Sequence, residues 1–173
     1  MKKCLIVVDY QVDFVNGTLG FDGAEKLENT IARKISEYRA EGADVIFTLD
    51  THQSDYLKTF EGKILPIEHC IEYTKGHELY GEIKSMVQTN DKVFKKCTYG
   101  SEGLFDYLRK CDYKKIELCG LVSNICVISN AVLARTALPN AQLIVDSNAT
   151  ASNDESLNTS ALNVMRGLGI RVI

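Results

Sequence analysis

Six short apolar runs, each separated from the next by an amphipathic or loop-plus-helix stretch, constrain this chain more than any other feature. They occupy residues 4–8, 45–49, 93–94, 116–119, 143–145 and 170–173. Short strands alternating with helices imply the α/β class, here a three-layer αβα sandwich with a six-stranded, mainly parallel sheet covered on both faces. In such sheets the ligand crevice opens beyond the carboxyl ends of the strands. The residues expected there are Asp9 after the first strand, Asp50 and His52 after the second, Lys96 after the third and Cys126 after the fourth. Four consecutive strands thus deliver a carboxylate, a possible metal pair, a lysine and a thiol to one edge. Packing alone does not readily produce that coincidence.

Composition narrows the function classes. A chain of 173 residues, 45% hydrophobic, is most simply a single domain spanning 1–173, with a core large enough to need no staples. Twenty basic against 23 acidic residues, with no basic stripe, argue against nucleic acid as a partner. The pattern argues against membranes too. No apolar run approaches the ~20 residues of a spanning helix, and Met1-Lys2-Lys3 leads into a run that stops at Asp9, too short for a signal peptide. Cytoplasmic location is the default. The six cysteines show no disulfide framework, and Cys4 and Cys119 sit inside apolar strands, so reduced thiols fit best.

Caps and periodicity place the helices. Asp22-Gly23-Ala24-Glu25 reads as a capping box opening a helix with Leu27, Ile31, Ile35 and Tyr38 on one face and Gly42 as its stop. Further amphipathic stretches span about 79–87, 104–108, 125–138 and 157–168, the last opened by Ser152-Asn153-Asp154-Glu155. Residues 51–75 form the only long irregular segment, and loops of that length in compact domains are usually functional.

The chemistry is concentrated at two places. Gly120-Leu121-Val122-Ser123-Asn124-Ile125-Cys126 puts a thiol where a buried strand turns into a helix, and a helix start with a nearby cation, Lys96, favours the thiolate. The plainer alternative is one more buried core cysteine. Asp50-Thr51-His52 places a carboxylate and an imidazole two residues apart on a strand end, where they share a face. Adding His69 gives a two-histidine, one-carboxylate set with open positions, the pattern of a catalytic metal site. The third histidine, His77, reads as a solvated residue near a helix start. Taken singly, Asp9 also reads as a turn carboxylate and Phe14 as loop packing.

Taken together, these residues resemble the isochorismatase-like cysteine hydrolases, and most closely their nicotinamidase branch. The resemblance runs from Asp9 through Asp146. It rests on D-x-Q-x-D-F (Asp9, Gln11, Asp13, Phe14), on D-x-H (Asp50, His52) and on a P-x-H-C-like segment from Pro66 to His69-Cys70. It continues with a hydrophobic pair, Val93-Phe94, before Lys96 and Tyr99, and with G-x-x-[ST]-x-x-C at Gly120, Ser123 and Cys126. The family spacing selects Lys96 over Lys95.

The resemblance implies a catalytic set of Asp9, Lys96 and Cys126, an oxyanion site formed by the N–H groups of Val122 and Cys126, and a cis peptide between Leu121 and Val122. It further implies substrate contacts at Phe14, Leu65 and Tyr99. One divalent transition ion, zinc or else iron or manganese, is implied at Asp50, His52 and His69, with Glu61 as a fourth ligand. The implied reaction is hydrolysis of a small-molecule amide, nicotinamide, to nicotinate and ammonia through a thioester, a step of NAD salvage, in a homo-oligomer. A metal-free relative acting on a carbamoyl, ureido or other small amide is the alternative. The chain departs from the branch at Tyr56, where some members have histidine, at Leu65 in place of a tryptophan, at Asn124 in place of aspartate, and by one extra residue between Pro66 and His69.

Overall fold

The computed structural model describes residues 2–173; the expected domain span begins at Met1, which lies outside them. Every apolar run becomes a strand: β1 (Lys3–Val8), β2 (Asp44–Asp50), β3 (Lys92–Lys96), β4 (Lys115–Leu121), β5 (Gln142–Ala151) and β6 (Arg171–Val172). They form one sheet in the order β3-β2-β1-β4-β5-β6, and every pairing is parallel. The helices are α1 (Val12–Val15), α2 (Glu28–Ala40), α3 (Phe60–Ile64), α4 (Gly81–Met86), α5 (Glu102–Leu108), α6 (Ile128–Ala137) and α7 (Glu155–Gly167).

Side chains alternate across a strand, so each strand feeds two cores. Cys4, Ile6 and Val8 of β1 join Leu104, Leu108, Ala131, Leu162 and Met165 in one layer. Leu5 and Val7 join Ile31, Ile35, Phe47 and Ile83 in the other. The strand order reverses between β1 and β4, and a crevice opens at such a switch point because the two strands' connections diverge to opposite sides. Gly120 closes the seam below the crevice. It pairs with Val8, has φ of 110°, and a Cβ there would lie 2.0 Å from the Val8 carbonyl oxygen, so only glycine lets β4 pass.

Several local expectations change. The helix after Gly23 has no side-chain cap; it opens as a 3-10 turn, Ala24–Leu27, behind a left-handed Gly23. The last long helix is capped by Asp154, which accepts the Leu157 N–H, rather than by Ser152. Residues 51–75 are not wholly irregular. They hold a 3-10 turn, Tyr56–Lys58, and α3, capped by Thr59 accepting the Gly62 N–H. The stretch expected as a helix from 125 begins instead with a π turn, Ser123–Val127, in which the Ile125 and Val127 N–H groups both bond the Val122 carbonyl. The Leu121–Val122 peptide is cis. Among the described residues no helix is long and apolar enough to cross a membrane.

Candidate active site

Asp9 leaves β1 with φ of 44°, a left-handed conformation costing a non-glycine residue roughly 1–2 kcal/mol. Its surroundings hold it there. The Asp9 N–H bonds the Thr48 carbonyl, the Thr48 hydroxyl donates to Asp9 Oδ1 at 2.7 Å, and the Gln11 N–H bonds the Asp9 carbonyl. Asp9 Oδ2 then faces Lys96 Nζ at 2.6 Å. Lys96 Nζ also lies 3.5 Å from Cys126 Sγ, 3.2 Å from Asp50 Oδ1 and 2.9 Å from the Thr98 carbonyl. Lys95, by contrast, is exposed and pairs with Glu72.

Burial sets the charge states. It pushes the Asp9 carboxyl up, against the pull of Lys96. The Cys126 thiol is also pushed well up, by burial and then by the charges of Asp9 and Asp50, and Lys96 offsets this only in part. Burial and two carboxylates thus stand against the expected resting thiolate, and one ammonium stands for it. Burial works against the charge on Lys96, but Asp9, Cys126 and Asp50 outweigh it and keep the ammonium protonated.

The second cluster adjoins the first through one carboxylate. Asp50 gives Oδ1 to Lys96 and Oδ2 to His52 Nε2 at 3.0 Å and His69 Nε2 at 3.4 Å. Burial alone would raise Asp50, but the hydrogen bonds from both histidines and the Lys96 charge hold it far below the usual range. His69 Nδ1 donates to the Ile67 carbonyl at 2.8 Å, which turns Nε2 toward the cluster. Burial opposes a charge on His69, yet Asp50 and the Ile67 carbonyl raise its pKa, so Nε2 favours a positive partner. The ligand atoms of Asp50, His52 and His69 lie within 4.8 Å of one another, a buried nitrogen and oxygen set that fits a divalent transition ion. Glu61 Oε1 stands 3.8 Å and 4.0 Å from the two Nε2 atoms. Tyr56 packs its ring on both imidazoles and turns its hydroxyl away to the Leu65 carbonyl, so it shields the cluster without joining it.

A cavity of about 230 Å³, at the small end of ligand pockets, joins the two clusters. Phe14, Leu65 and Tyr99 line it, with Asp50, Glu61, His69, Val122 and Cys126. Leu19, Phe21, Ile125 and Asn153 complete the wall and were not anticipated from sequence. Among the described residues the Val122 N–H has no hydrogen-bond partner, and the Cys126 N–H does not join its neighbours on the Val122 carbonyl. His77 departs from expectation. It is buried in the turn Lys75–His77, with Nε2 2.8 Å from the Thr51 hydroxyl.

Two motif residues prove to be braces. The Gln11 amide accepts the Asp50 N–H at 2.7 Å and donates to the Asp50 and His77 carbonyls at 2.8 Å each, fixing β2's end against the β1 loop. Asp13 Oδ2 accepts the Cys70 N–H at 2.7 Å and so anchors the residue next to His69. A buried acid beside a lysine and a thiol can support nucleophilic acyl chemistry, with the neighbouring cluster free to hold a cation.

A family model described as an isochorismatase domain matches residues 3–173. The chain is similar in structure to the nicotinamidase PncA from Bacillus subtilis, at 30% identity and a TM-score of 0.85, with 99% of each chain covered. It is also similar to a pyrazinamidase/nicotinamidase from Streptococcus mutans (27% identity, TM-score 0.88, 99% of this chain and 100% of the other). A pyrazinamidase of Pyrococcus horikoshii in complex with zinc, 24% identical with a TM-score of 0.88 over 100% of this chain and 99% of the other, shares the fold.

Proposed function

The chain belongs to the isochorismatase family and is an amidohydrolase of it, and from that premise we propose that it is a cysteine-dependent nicotinamidase, releasing nicotinate and ammonia. The observation that carries this reading is the shared cavity. Cys126 stands on one side, the imidazole and carboxylates of His69, Asp50 and Glu61 on another, and Phe14 completes an aromatic wall. A flat ring bearing both a carboxamide and a ring nitrogen matches that arrangement.

Asp9 Oδ2, 2.6 Å from Lys96 Nζ and beside the Cys126 thiol, takes the Cys126 proton as the sulfur attacks the amide carbon. Lys96 steadies the negative charge as it moves from acid to sulfur, and the three groups titrate as one unit. The N–H groups of Val122 and Cys126 hold the oxyanion, a contribution worth ~10²–10³ in rate per donor. The proton returns from Asp9 to the leaving nitrogen as the C–N bond breaks. Water then cleaves the thioester, its proton restoring the thiol. Asp50, His52 and His69, with Glu61 beside them, would hold a zinc, iron or manganese ion, which when bound supplies a Lewis-acidic partner for the ring nitrogen. Six unpaired cysteines support a reducing, cytoplasmic setting, in keeping with a role in NAD salvage.

Steady-state rates on nicotinamide, pyrazinamide and benzamide test the reading. Benzamide has nearly the same shape but no ring nitrogen, so it is expected to react far more slowly. Equal rates on nicotinamide and benzamide would defeat ring-nitrogen recognition. No turnover of any of the three would point to the metal-free hydrolase of another small amide.

A further inference from the structure

We infer that Asn130 is a positioning residue that ties the turn carrying Cys126 to the loop carrying Tyr99, and so sets both the reach of the nucleophile and one wall of the cavity. The inference rests on Cys126 being the nucleophile. Asn130 lies in α6, one turn beyond Cys126, and is fully buried. Its side chain makes three hydrogen bonds, none to solvent. Nδ2 donates to the Cys126 carbonyl at 2.8 Å and to the Tyr99 carbonyl at 3.2 Å, while Oδ1 accepts the Ser101 N–H at 3.0 Å. One amide thus spends its full donor capacity on two segments, which also pack against each other where Gly100 meets Leu133 and Ser129 of α6.

Those segments are the ones that matter. The loop 97–101 follows Lys96, and its Thr98 carbonyl accepts Lys96 Nζ, so moving the loop moves the ammonium relative to Cys126 Sγ. Tyr99 in the same loop lines the cavity. At Ser101 the held N–H lies beside the hydroxyl that caps α5 through Leu104, which makes the loop's far end rigid as well. A buried asparagine in a helix interior has poor helix propensity and high desolvation cost, so its retention calls for a reason of this kind.

The two halves of the bridge are separable by substitution. Asn130→Leu removes all three bonds at similar volume. Asn130→Thr keeps a hydroxyl that can donate to a carbonyl four residues back, at Cys126, but is too short to reach Tyr99 or Ser101. We expect Asn130→Leu to lower kcat about tenfold, the worth of one buried hydrogen bond in positioning, and to raise KM. Asn130→Thr is expected to recover kcat while KM stays severalfold raised, because the nucleophile is held again and the Tyr99 wall is not. A merely structural role would lower the melting temperature without this split.

The alkylation rate of Cys126 by iodoacetamide, followed by peptide mass spectrometry against an added cysteine peptide as internal standard, gives a readout independent of substrate. It should change severalfold in Asn130→Leu and return towards the parent value in Asn130→Thr. If the parent protein hydrolyses none of the amides yet this ratio moves as stated, the nicotinamidase reading fails and the inference stands. Unchanged kinetics and an unchanged alkylation ratio in folded Asn130→Leu would overturn it. Should that variant not fold, Asn130→Thr decides: raised KM supports the bridge, and parental KM overturns it.

Discussion

Two buried lysines in this molecule each sit between two carboxylates, with opposite outcomes. Lys34, on α2, reaches Glu117 Oε1 at 2.7 Å and Asp146 Oδ2 at 2.6 Å. The remaining oxygens there are also occupied: Tyr38 donates to Glu117 Oε2, and the Asn148 N–H bonds Asp146 Oδ1. Burial would raise Asp146, but Lys34 and that N–H hold it below its ordinary value. Around Lys96 the balance goes the other way. Asp9 Oδ2 meets the ammonium and the Cys126 thiol, a weak donor, and burial pushes the Asp9 pKa up. A saturated cluster holds charge still, whereas an undersaturated one can pass a proton.

The contrast can be broken most forcefully at the sulfur. Cys126→Ala should reduce amide hydrolysis by ~10⁴-fold or more while leaving the melting curve close to that of the parent, since a nucleophile acts as a unit with its base. Retained turnover would end the nucleophile assignment. Lys34→Met sets the complementary limit. It strands Glu117 and Asp146 without a cation and should cost about 3–5 kcal/mol in urea unfolding, with kcat of the folded fraction unchanged. A large kcat effect would mean that the two clusters communicate.

A smaller effect sharpens the difference in proton affinity. Burial and the charges of Asp9 and Asp50 push the Cys126 thiol upward. Alkylation of Cys126 should therefore keep climbing, by about tenfold per pH unit, through pH ~8.5 and beyond. A plateau near neutrality would restore the resting thiolate. The sign for Asp146 is opposite in kind. Its carboxyl is depressed, so its contribution to stability is present above the ordinary aspartate pKa of ~3.9 and is lost as pH falls through the lower folded value. Asp146→Asn should flatten the acid limb of the stability curve by comparison with the parent.

The sequence carried the sheet and the cavity's main residues because both follow from short-range pattern. Apolar runs located all six strands, and their carboxyl ends pointed to Asp9 just past β1, Asp50 and Lys96 closing β2 and β3, and Cys126 in the turn after β4. Contacts between distant segments were invisible. Glu117 interrupts an apolar strand with no sign of Lys34, which lies 83 residues earlier. Asn130 looks like any polar residue in a helix. His77 read as solvated because nothing local reveals Thr51 beside it. The thiolate expectation rested on local cues, helix start and lysine, while the opposing effect of burial, Asp9 and Asp50 is a property of the folded sheet.

The strand order has a consequence for how the molecule could be divided. Only the seam between β1 and β4 joins the two halves of the sheet. A cut in residues 109–114, between α5 and β4, would leave the acid, the lysine and both histidines of the metal cluster on one fragment and the thiol on the other. Neither piece would be reactive by itself. The two pieces would meet along the β1–β4 ladder, where Gly120 lies against Val8, and through Lys34 with Glu117 and Asp146.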